Sequence, residues 1–343
     1  TPQNAFGALP VQRDDMETSI KILRRAFEGG MTFFDTARAY SDSEEKIGNA
    51  LSDVREKIFI ATKTAAKNPE EFWKDLETSL RLLKTDYVDI YQFHQASQCY
   101  KPGDGTGMYE AMLEAKEQGK IRHIGMSFHD TAEVLDKILT DRPDLEFVQL
   151  QLNYVDWEDH RVQSRACYEV CVKHGKPVIV MEPVKGGSLV NLPQEALSLL
   201  TEGSAASYAV RYAASHDNVV MVLSGMSNTE QMEDNLSTMV DFKPLSEQEQ
   251  DIISRVRTIY QAQHRIPCTA CRYCTDGCPA GIPIPDVFAA MNEKRQNNPE
   301  ADAQYAAFEN NASACVGCGQ CENACPQNLQ IRDLLKEVEK AFG

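Results

Sequence analysis

METSIKILRRAFEGGMTFFDT, residues 16–36, holds a helix, a stop and a strand within 21 residues. Its first part is amphipathic, and Gly29-Gly30 stands where a helix should end, since glycine accepts the left-handed turn that closes one. The run that follows, TFFDT, is short, apolar and β-rich. The same alternation recurs along the chain. EEFWKDLETSLRLLKT (70–85) sets Phe72, Leu76, Leu80 and Leu83 on one helical face, and Gly119 marks another stop. Strand candidates are AFGAL (5–9), TFFDT (32–36), KIFIATK (57–63), VDIYQFH (88–94), RHIGMS (122–127), FVQLQLN (147–153), PVIVME (177–182) and VVMVLSG (219–225). Eight apolar strands with helices between them imply a parallel sheet covered on both faces. Eight such units in roughly 250 residues favour closure into a (β/α)8 TIM barrel. A doubly wound sheet would carry a G-x-G-x-x-G turn after a strand, and none is present.

The character changes after DFKPLSEQEQ (241–250), where Ser246 and Glu249 have capping-box spacing. DIISRVRTIYQAQH (251–264) reads as one more helix. Residues 265–330 are rich in Cys, with Pro and Gly beside them, and IRDLLKEVEKAF (331–342) reads as a closing amphipathic helix. The expected organisation is an α/β barrel over 1–245, a linker helix over 246–264 and a small, mainly helical ferredoxin-like iron-sulfur domain over 265–343.

That last reading rests on CTACRYCTDGCP (268–279) and CVGCGQCENACP (315–326). Both are C-x2-C-x2-C-x3-C-P, the bacterial ferredoxin pattern, in which three thiolates from a short loop meet one cubane and the fourth serves the other cluster. By that rule Cys268, Cys271, Cys274 and Cys325 hold one [4Fe-4S] cluster, and Cys315, Cys318, Cys321 and Cys278 hold a second. Zinc is the alternative, but its four-thiolate sites usually come as two separated C-x2-C pairs. The 36 residues between Cys278 and Cys315 exceed the spacer of compact ferredoxins, and PDVFAAMNEKRQNN and DAQYAAFEN within them look helical.

Bulk properties exclude several classes. A formal net charge of -16 and the lack of a basic stripe argue against a nucleic-acid partner. No apolar run reaches the ~18–20 residues of a membrane span, and no basic-then-apolar leader opens the chain, which starts without Met. Eight of eleven cysteines fall in the two motifs. The other three, Cys99, Cys167 and Cys171, read as buried or free thiols, which points to a reducing, cytoplasmic setting.

In a (β/α)8 barrel, reactive groups collect at the C-terminal ends of strands. Asp35 ends TFFD, Tyr40 follows five residues on, Lys63 ends FIATK and His94 ends IYQFH. Singly, Asp35 could cap a helix, Lys63 could be a solvated strand end and His94 a satisfied core histidine. Together, GMTFFDTARAYSDSEEKIGNAL (30–51), ATKT, YVDIYQFH and IGMSFH (124–129) resemble the aldo-keto reductase family from residue 5 to about 240.

The resemblance implies an NAD(P)(H)-dependent oxidoreductase that interconverts a carbonyl and an alcohol, with a small carbonyl or alcohol substrate and a catalytic set of Asp35, Tyr40, Lys63 and His94. It implies that Ser127 and Gln149 hold the nicotinamide carboxamide with Asn153 nearby. Met181 stands where an aromatic ring usually stacks, and Phe128 replaces the family's frequent Asn. SGMSNTEQMEDN (224–235) resembles the adenosine-binding loop, with Ser227, Gln231, Asp234 and Asn235 at the expected offsets. That loop contains no Arg or Lys to offset a 2′-phosphate, and Lys185 fits the pyrophosphate better, so NADP and NAD both stay open. Hydride donors move two electrons and clusters one. Flavin is the usual converter, and no flavin motif is present. The alternative is an iron-sulfur electron-transfer module, in which the barrel docks a redox partner such as a ferredoxin, or a nucleotide, while the clusters relay single electrons. HQASQCYKPGDGTG (94–107) is expected to be a substrate-selecting loop.

Overall fold

The computed structural model describes residues 3–95, 106–240 and 242–343. Cys99 and most of the 94–107 loop lie outside them. The chain divides into two compact units, Thr1–Val184 with Gly203–Glu247, and Lys185–Glu202 with Gln248–Gly343.

The first unit is a closed, all-parallel barrel of β1 (Gln3–Gly7), β2 (Phe33–Asp35), β3 (Phe59–Thr64), β4 (Val88–Phe93), β5 (Ile121–Phe128), β6 (Phe147–Gln151), β7 (Val178–Met181) and β8 (Val219–Gly225), in sequence order, with β8 pairing to β1. Side-chain hydrogen bonds start several surrounding helices where the sequence offers a capping residue. Asp15 accepts from the Thr18 N–H at 2.9 Å before the helix Met16–Glu28, and Asn68 accepts from the Glu71 N–H at 2.9 Å before Pro69–Leu83.

Strand periodicity sorts the side chains into two sets. Phe6, Phe34, Ile60, Tyr91, Ile124, Val148, Val180 and Val222 pack outward into the main core, which also takes in Leu23, Phe72 and Leu76 from the helices. Ala5, Phe33, Ala61, Phe147, Ile179 and Leu223 fill the barrel interior, with Ile90, Met181 and Met221 against them. Gly125 is the gap in this inner layer, because a Cβ there would lie 2.4 Å from the Phe147 ring. A large ring on β6 is thus matched by an absent side chain on β5.

The second unit is helical. Glu247–Ala262, Ile284–Arg295, Ala301–Ala306 and Ile331–Phe342 are its longer helices, and Tyr273–Asp276 and Gln320–Asn323 are single turns inside the two cysteine motifs. Its core joins Ile282, Ile284, Val287, Phe288, Leu329, Leu335 and Val338, and Tyr305 stacks on Phe342 with centroids 4.1 Å apart. Lys185–Glu202 leaves β7 yet belongs here: the Tyr260 hydroxyl hydrogen-bonds Ser188 Oγ at 3.1 Å, and Arg265 donates to the Asn191 carbonyl at 3.5 Å. Among the described residues, no helix is long and apolar enough to cross a membrane.

Candidate active site and cysteine cradles

Period two carries the inner layer up to a polar ring. Two residues beyond Phe33 comes Asp35, beyond Ala61 comes Lys63, beyond Ile90 comes Gln92, beyond Gly125 comes Ser127, beyond Phe147 comes Gln149, and beyond Ile179 comes Met181. The C-terminal end of the barrel is therefore lined by groups that six strands each place by the same alternation.

The ring is hydrogen-bonded throughout one side. Lys63 Nζ donates to Asp35 Oδ1 at 2.5 Å and to the Thr36 carbonyl at 2.8 Å. Gln92 Nε2 donates to Asp35 Oδ2 at 3.3 Å and to Gln149 Oε1 at 3.0 Å. Tyr40 and His94 stand edge to face, centroids 5.7 Å apart, and Lys63 Nζ lies 5.3 Å from the Tyr40 ring centre. All four residues of the expected catalytic set are buried and lie together.

Burial sets the electrostatics. It pulls Lys63 below the ordinary lysine range, against the opposing attraction of Asp35. It raises Asp35 above the usual carboxylate range, against Lys63 and Gln92. His94 is held well below 6.5, first by burial and then by Lys63 and His129, so its imidazole is neutral at pH 7.

The expected dinucleotide residues fall into two groups. Ser127 Oγ and Gln149 Nε2 both approach the Met181 sulfur at 3.6 Å, so these three share one side of the ring. Asn153 is committed elsewhere. Its Nδ2 donates to Asp156 Oδ2 at 2.7 Å and to the Glu182 carbonyl at 3.0 Å, while its Oδ1 accepts from the Val155 and Asp156 N–H groups. In the 224–235 loop, Gln231 Oε1 accepts from the Ser227 N–H at 2.9 Å, Asn235 Nδ2 donates to the Gln231 carbonyl at 2.8 Å, and Asp234 accepts from Ser204 Oγ at 2.7 Å. Ser227, Gln231 and Asn235 thus form one hydrogen-bonded chain along the start of the helix Thr229–Val240. Lys185 is buried and opens the segment that folds with the second unit.

Gln92 was not among the expected residues. Its signal lies in VDIYQFH, where Ile90, Gln92 and His94 share the inward face. Cys167 and Cys171 are free and buried, and burial pushes the Cys167 thiol up to about 12.

In the second unit the two motifs adopt the same backbone. Ala270 and Arg272 have φ of 53° and 70°, and Gly317 and Gly319, at the same offsets, have 73° and 79°. Four thiols of one expected set lie close enough to act on one another: Cys274 is raised to about 12, mainly by burial and then by Cys271, Cys268 and Cys325. The other set, Cys278, Cys315, Cys318 and Cys321, lines a single pocket with Gly317, Gly319 and Arg332. Cys325 and Cys278 therefore each stand with the opposite motif, as cross-ligation requires. A concave, four-thiol lining is a fitting donor set for a [4Fe-4S] group. One arginine attends each set. Arg272 makes a two-pronged pair with Asp286 at 2.7 and 2.9 Å, and Arg332 pairs with Glu322 at 2.7 and 2.8 Å.

A barrel whose polar ring sits at its C-terminal end is an enzyme-type architecture, and comparison with known proteins specifies the lineage. The model of the aldo/keto reductase family matches residues 5–258, and the chain belongs to that family. A 4Fe-4S dicluster domain model matches residues 267–329. Aldo-keto reductase YhdN of Bacillus subtilis is 39% identical over 127 residues, covering 33% of this chain and 38% of that protein. The chain spans about two fifths of the length of the first curated relatives it matches, 38% and 42%. The holo form of aldo-keto reductase AKR11C1 from Bacillus halodurans superposes with a TM-score of 0.63 at 25% identity, covering 74% of this chain and 91% of that one. An aldo/keto reductase from Klebsiella pneumoniae, solved with NADP and acetate, shares the fold with a TM-score of 0.62 at 20% identity, covering 75% and 92%.

Proposed function

We propose that this chain reduces a carbonyl to an alcohol, and runs the reverse oxidation, with Tyr40 as proton donor and acceptor. The observation that carries this is the buried Lys63–Asp35 contact of 2.5 Å beside the Tyr40 ring and His94. A nicotinamide dinucleotide, when bound, supplies or accepts the hydride. The residues do the rest. An alkoxide developing on the substrate needs a proton, and a phenol gives one up readily only where its anion is stabilised. The Lys63 ammonium provides that field, and Asp35, steadied by Gln92, keeps the ammonium charged and aimed. His94, neutral, donates a hydrogen bond to the substrate oxygen and positions it. Ser127 and Gln149 would hold the carboxamide, Met181 would pack against the nicotinamide ring, and Ser227, Gln231 and Asn235 would shape the adenosine side.

The loop from Ser224 to Asn235 contains no cation for a 2′-phosphate, which favours NADH over NADPH. Two [4Fe-4S] clusters are assigned to the crossed cysteine sets. The set with Cys278 opens to solvent through exposed Cys318, beside Val316 at 69% exposure, which supports single-electron exchange with a redox partner protein in a reducing, cytoplasmic setting. With no flavin motif, the clusters are assigned to a step other than direct traffic with nicotinamide.

The test is anaerobic carbonyl reduction by the cluster-loaded protein with NADH and NADPH. Tyr40→Phe should lower turnover at least ~100-fold, the lower range for loss of a general acid. Turnover at the wild-type rate in that variant would sink the mechanism.

A further inference from the structure

The two cysteine motifs differ at one corner. Where the first has Arg272, with φ of 70°, the second has Gly319 at the same offset, with φ of 79°. Each residue stands just before the single helical turn of its motif, Tyr273–Asp276 or Gln320–Asn323. The bare backbone at Gly319 is covered from elsewhere. A Cβ there would lie 3.6 Å from the guanidinium carbon of Arg332, which the closing helix Ile331–Phe342 brings in. Both motifs therefore have an arginine at this corner, once from the motif itself and once from the helix.

The second arginine is held and aimed. Its backbone N–H donates to Glu322 Oε1 at 2.9 Å, and its Nε and Nη2 reach Glu322 Oε2 at 2.8 and 2.7 Å. Arg332 lines the pocket of Cys278, Cys315, Cys318 and Cys321, whereas Glu322 does not, so the carboxylate grips the guanidinium from behind. Among the described residues, Arg332 is the one charged side chain in that lining. The rest is cysteine, glycine and apolar side chains. A salt bridge made only for stability has no need to turn its cation toward thiols. In the first motif Asp286 holds Arg272 in the same two-pronged way, and Cys274 and Cys268 lie within the electrostatic reach of that arginine.

We propose that each arginine raises the reduction potential of the cluster at its own motif, Arg332 for the set of Cys278, Cys315, Cys318 and Cys321 and Arg272 for the other. This rests on the two-cluster reading of the cysteine sets. Four thiolates make such a cluster anionic, and reduction adds one more electron to it. A cation facing the cradle favours the reduced form, and a carboxylate nearby opposes it. Local charge is one of the levers by which a protein sets cluster potentials. Arg332 and Glu322 therefore act on one cluster with opposite signs.

The experiment titrates the full-length, cluster-loaded protein with dithionite under anaerobic conditions and follows each cluster by EPR. Arg332→Gln should weaken the reduction equilibrium of one cluster about 10-fold, a midpoint more negative by about 59 mV for one electron, and leave the other in place. Glu322→Gln should move the same cluster in the opposite direction. The signs separate a field from a brace, because both substitutions break the same salt bridge and a purely structural pair would respond alike to either. Arg332→Lys keeps the charge and should restore most of the wild-type midpoint. Arg272→Gln should move the other cluster alone. If Arg332→Gln does not load its cluster, the positive shift in Glu322→Gln beside a near-wild-type Arg332→Lys makes the same decision. An unchanged midpoint in Arg332→Gln, or shifts of one sign in Arg332→Gln and Glu322→Gln, would overturn the proposal. Iron and acid-labile sulfide, about eight of each per wild-type chain, test the two-cluster reading separately. A lower content would count against that reading, while opposite signs at the cluster that is present would still support the role of Arg332.

Discussion

Replacing Asp35 by Asn isolates the contact on which the proposed chemistry rests. At 2.5 Å and an effective dielectric near 20, the attraction between Lys63 and Asp35 is about 7 kcal/mol. Lys63 is fully buried, so after the substitution it is left with neutral acceptors alone, the new amide oxygen and the Thr36 carbonyl at 2.8 Å. Its least costly response is to fold as a neutral amine. The cost of that neutralisation is about 1.4 kcal/mol for each pH unit below the ordinary lysine value of 10.5. This gives about 5 kcal/mol at pH 7 and about 2 at pH 9. Measured losses for broken buried pairs run at about 3–5 kcal/mol, so a loss in that range is expected at pH 7. The sign is fixed by linkage. The unfolded variant holds a proton on Lys63 that the folded variant lacks, so its stability rises with pH. Urea unfolding at pH 7, 8 and 9 would read it. Trp73 and Trp157, the chain's two tryptophans, both lie in the barrel unit, so their fluorescence reports that unit in the whole protein. Asp35→Asn combined with Lys63→Met should remove the pH slope and recover most of the loss. A single variant within ~1 kcal/mol of wild type, or one whose stability is flat from pH 7 to 9, would refute the reasoning.

Two further outcomes are expected. Gly317 has φ of 73° and lines the pocket of Cys278, Cys315, Cys318 and Cys321, so Gly317→Ala should cost at least the backbone term, about 1–2 kcal/mol; thermal unfolding followed at the cluster absorbance would check it, and an unchanged midpoint would contradict it. His129 and His216 are both held near 4, chiefly by burial, against an ordinary 6.5. His94 is held well below 6.5 as well, so unfolding takes up as many as three protons across this range, and barrel stability should fall on acidification from pH 6.5 toward 4, by up to about 4.1 kcal/mol per unit. His216 stacks on Trp157 with centroids 4.3 Å apart, so His216→Phe should keep the packing and remove about a third of the slope; an unaltered slope would mean that His216 does not contribute.

The barrel was legible because its signals are local. Each strand is an apolar run, each helix has a face and a stop, and Asp35, Lys63 and His94 stand at strand ends. The cysteine motifs were legible because both repeat one spacing, and the structure sets Cys325 by the first motif and Cys278 by the second. Gln92 was hidden by reading VDIYQFH as a run rather than by its alternate positions. Asn153 carries no mark of its bonds to Asp156 and Glu182, because those partners are set by how the chain turns after β6. The membership of Lys185–Glu202 was equally invisible. A boundary drawn from composition falls near residue 245, whereas the hydrogen bonds from Tyr260 and Arg265 to Ser188 and Asn191 are long-range and leave no trace in the local sequence.

That membership has a consequence for synthesis. A chain emerging at roughly 5–20 residues per second can assemble β1 to β7 as it leaves the ribosome. Lys185–Glu202 appears directly afterwards, yet Tyr260 and Arg265, which hydrogen-bond Ser188 and Asn191, come more than 70 residues later. The segment must therefore wait, as an unsatisfied loop, until Tyr260 and Arg265 have been made. Truncation before Tyr260 would strip a loop from the middle of the chain of its support, so such damage should surface first as proteolytic nicking after β7.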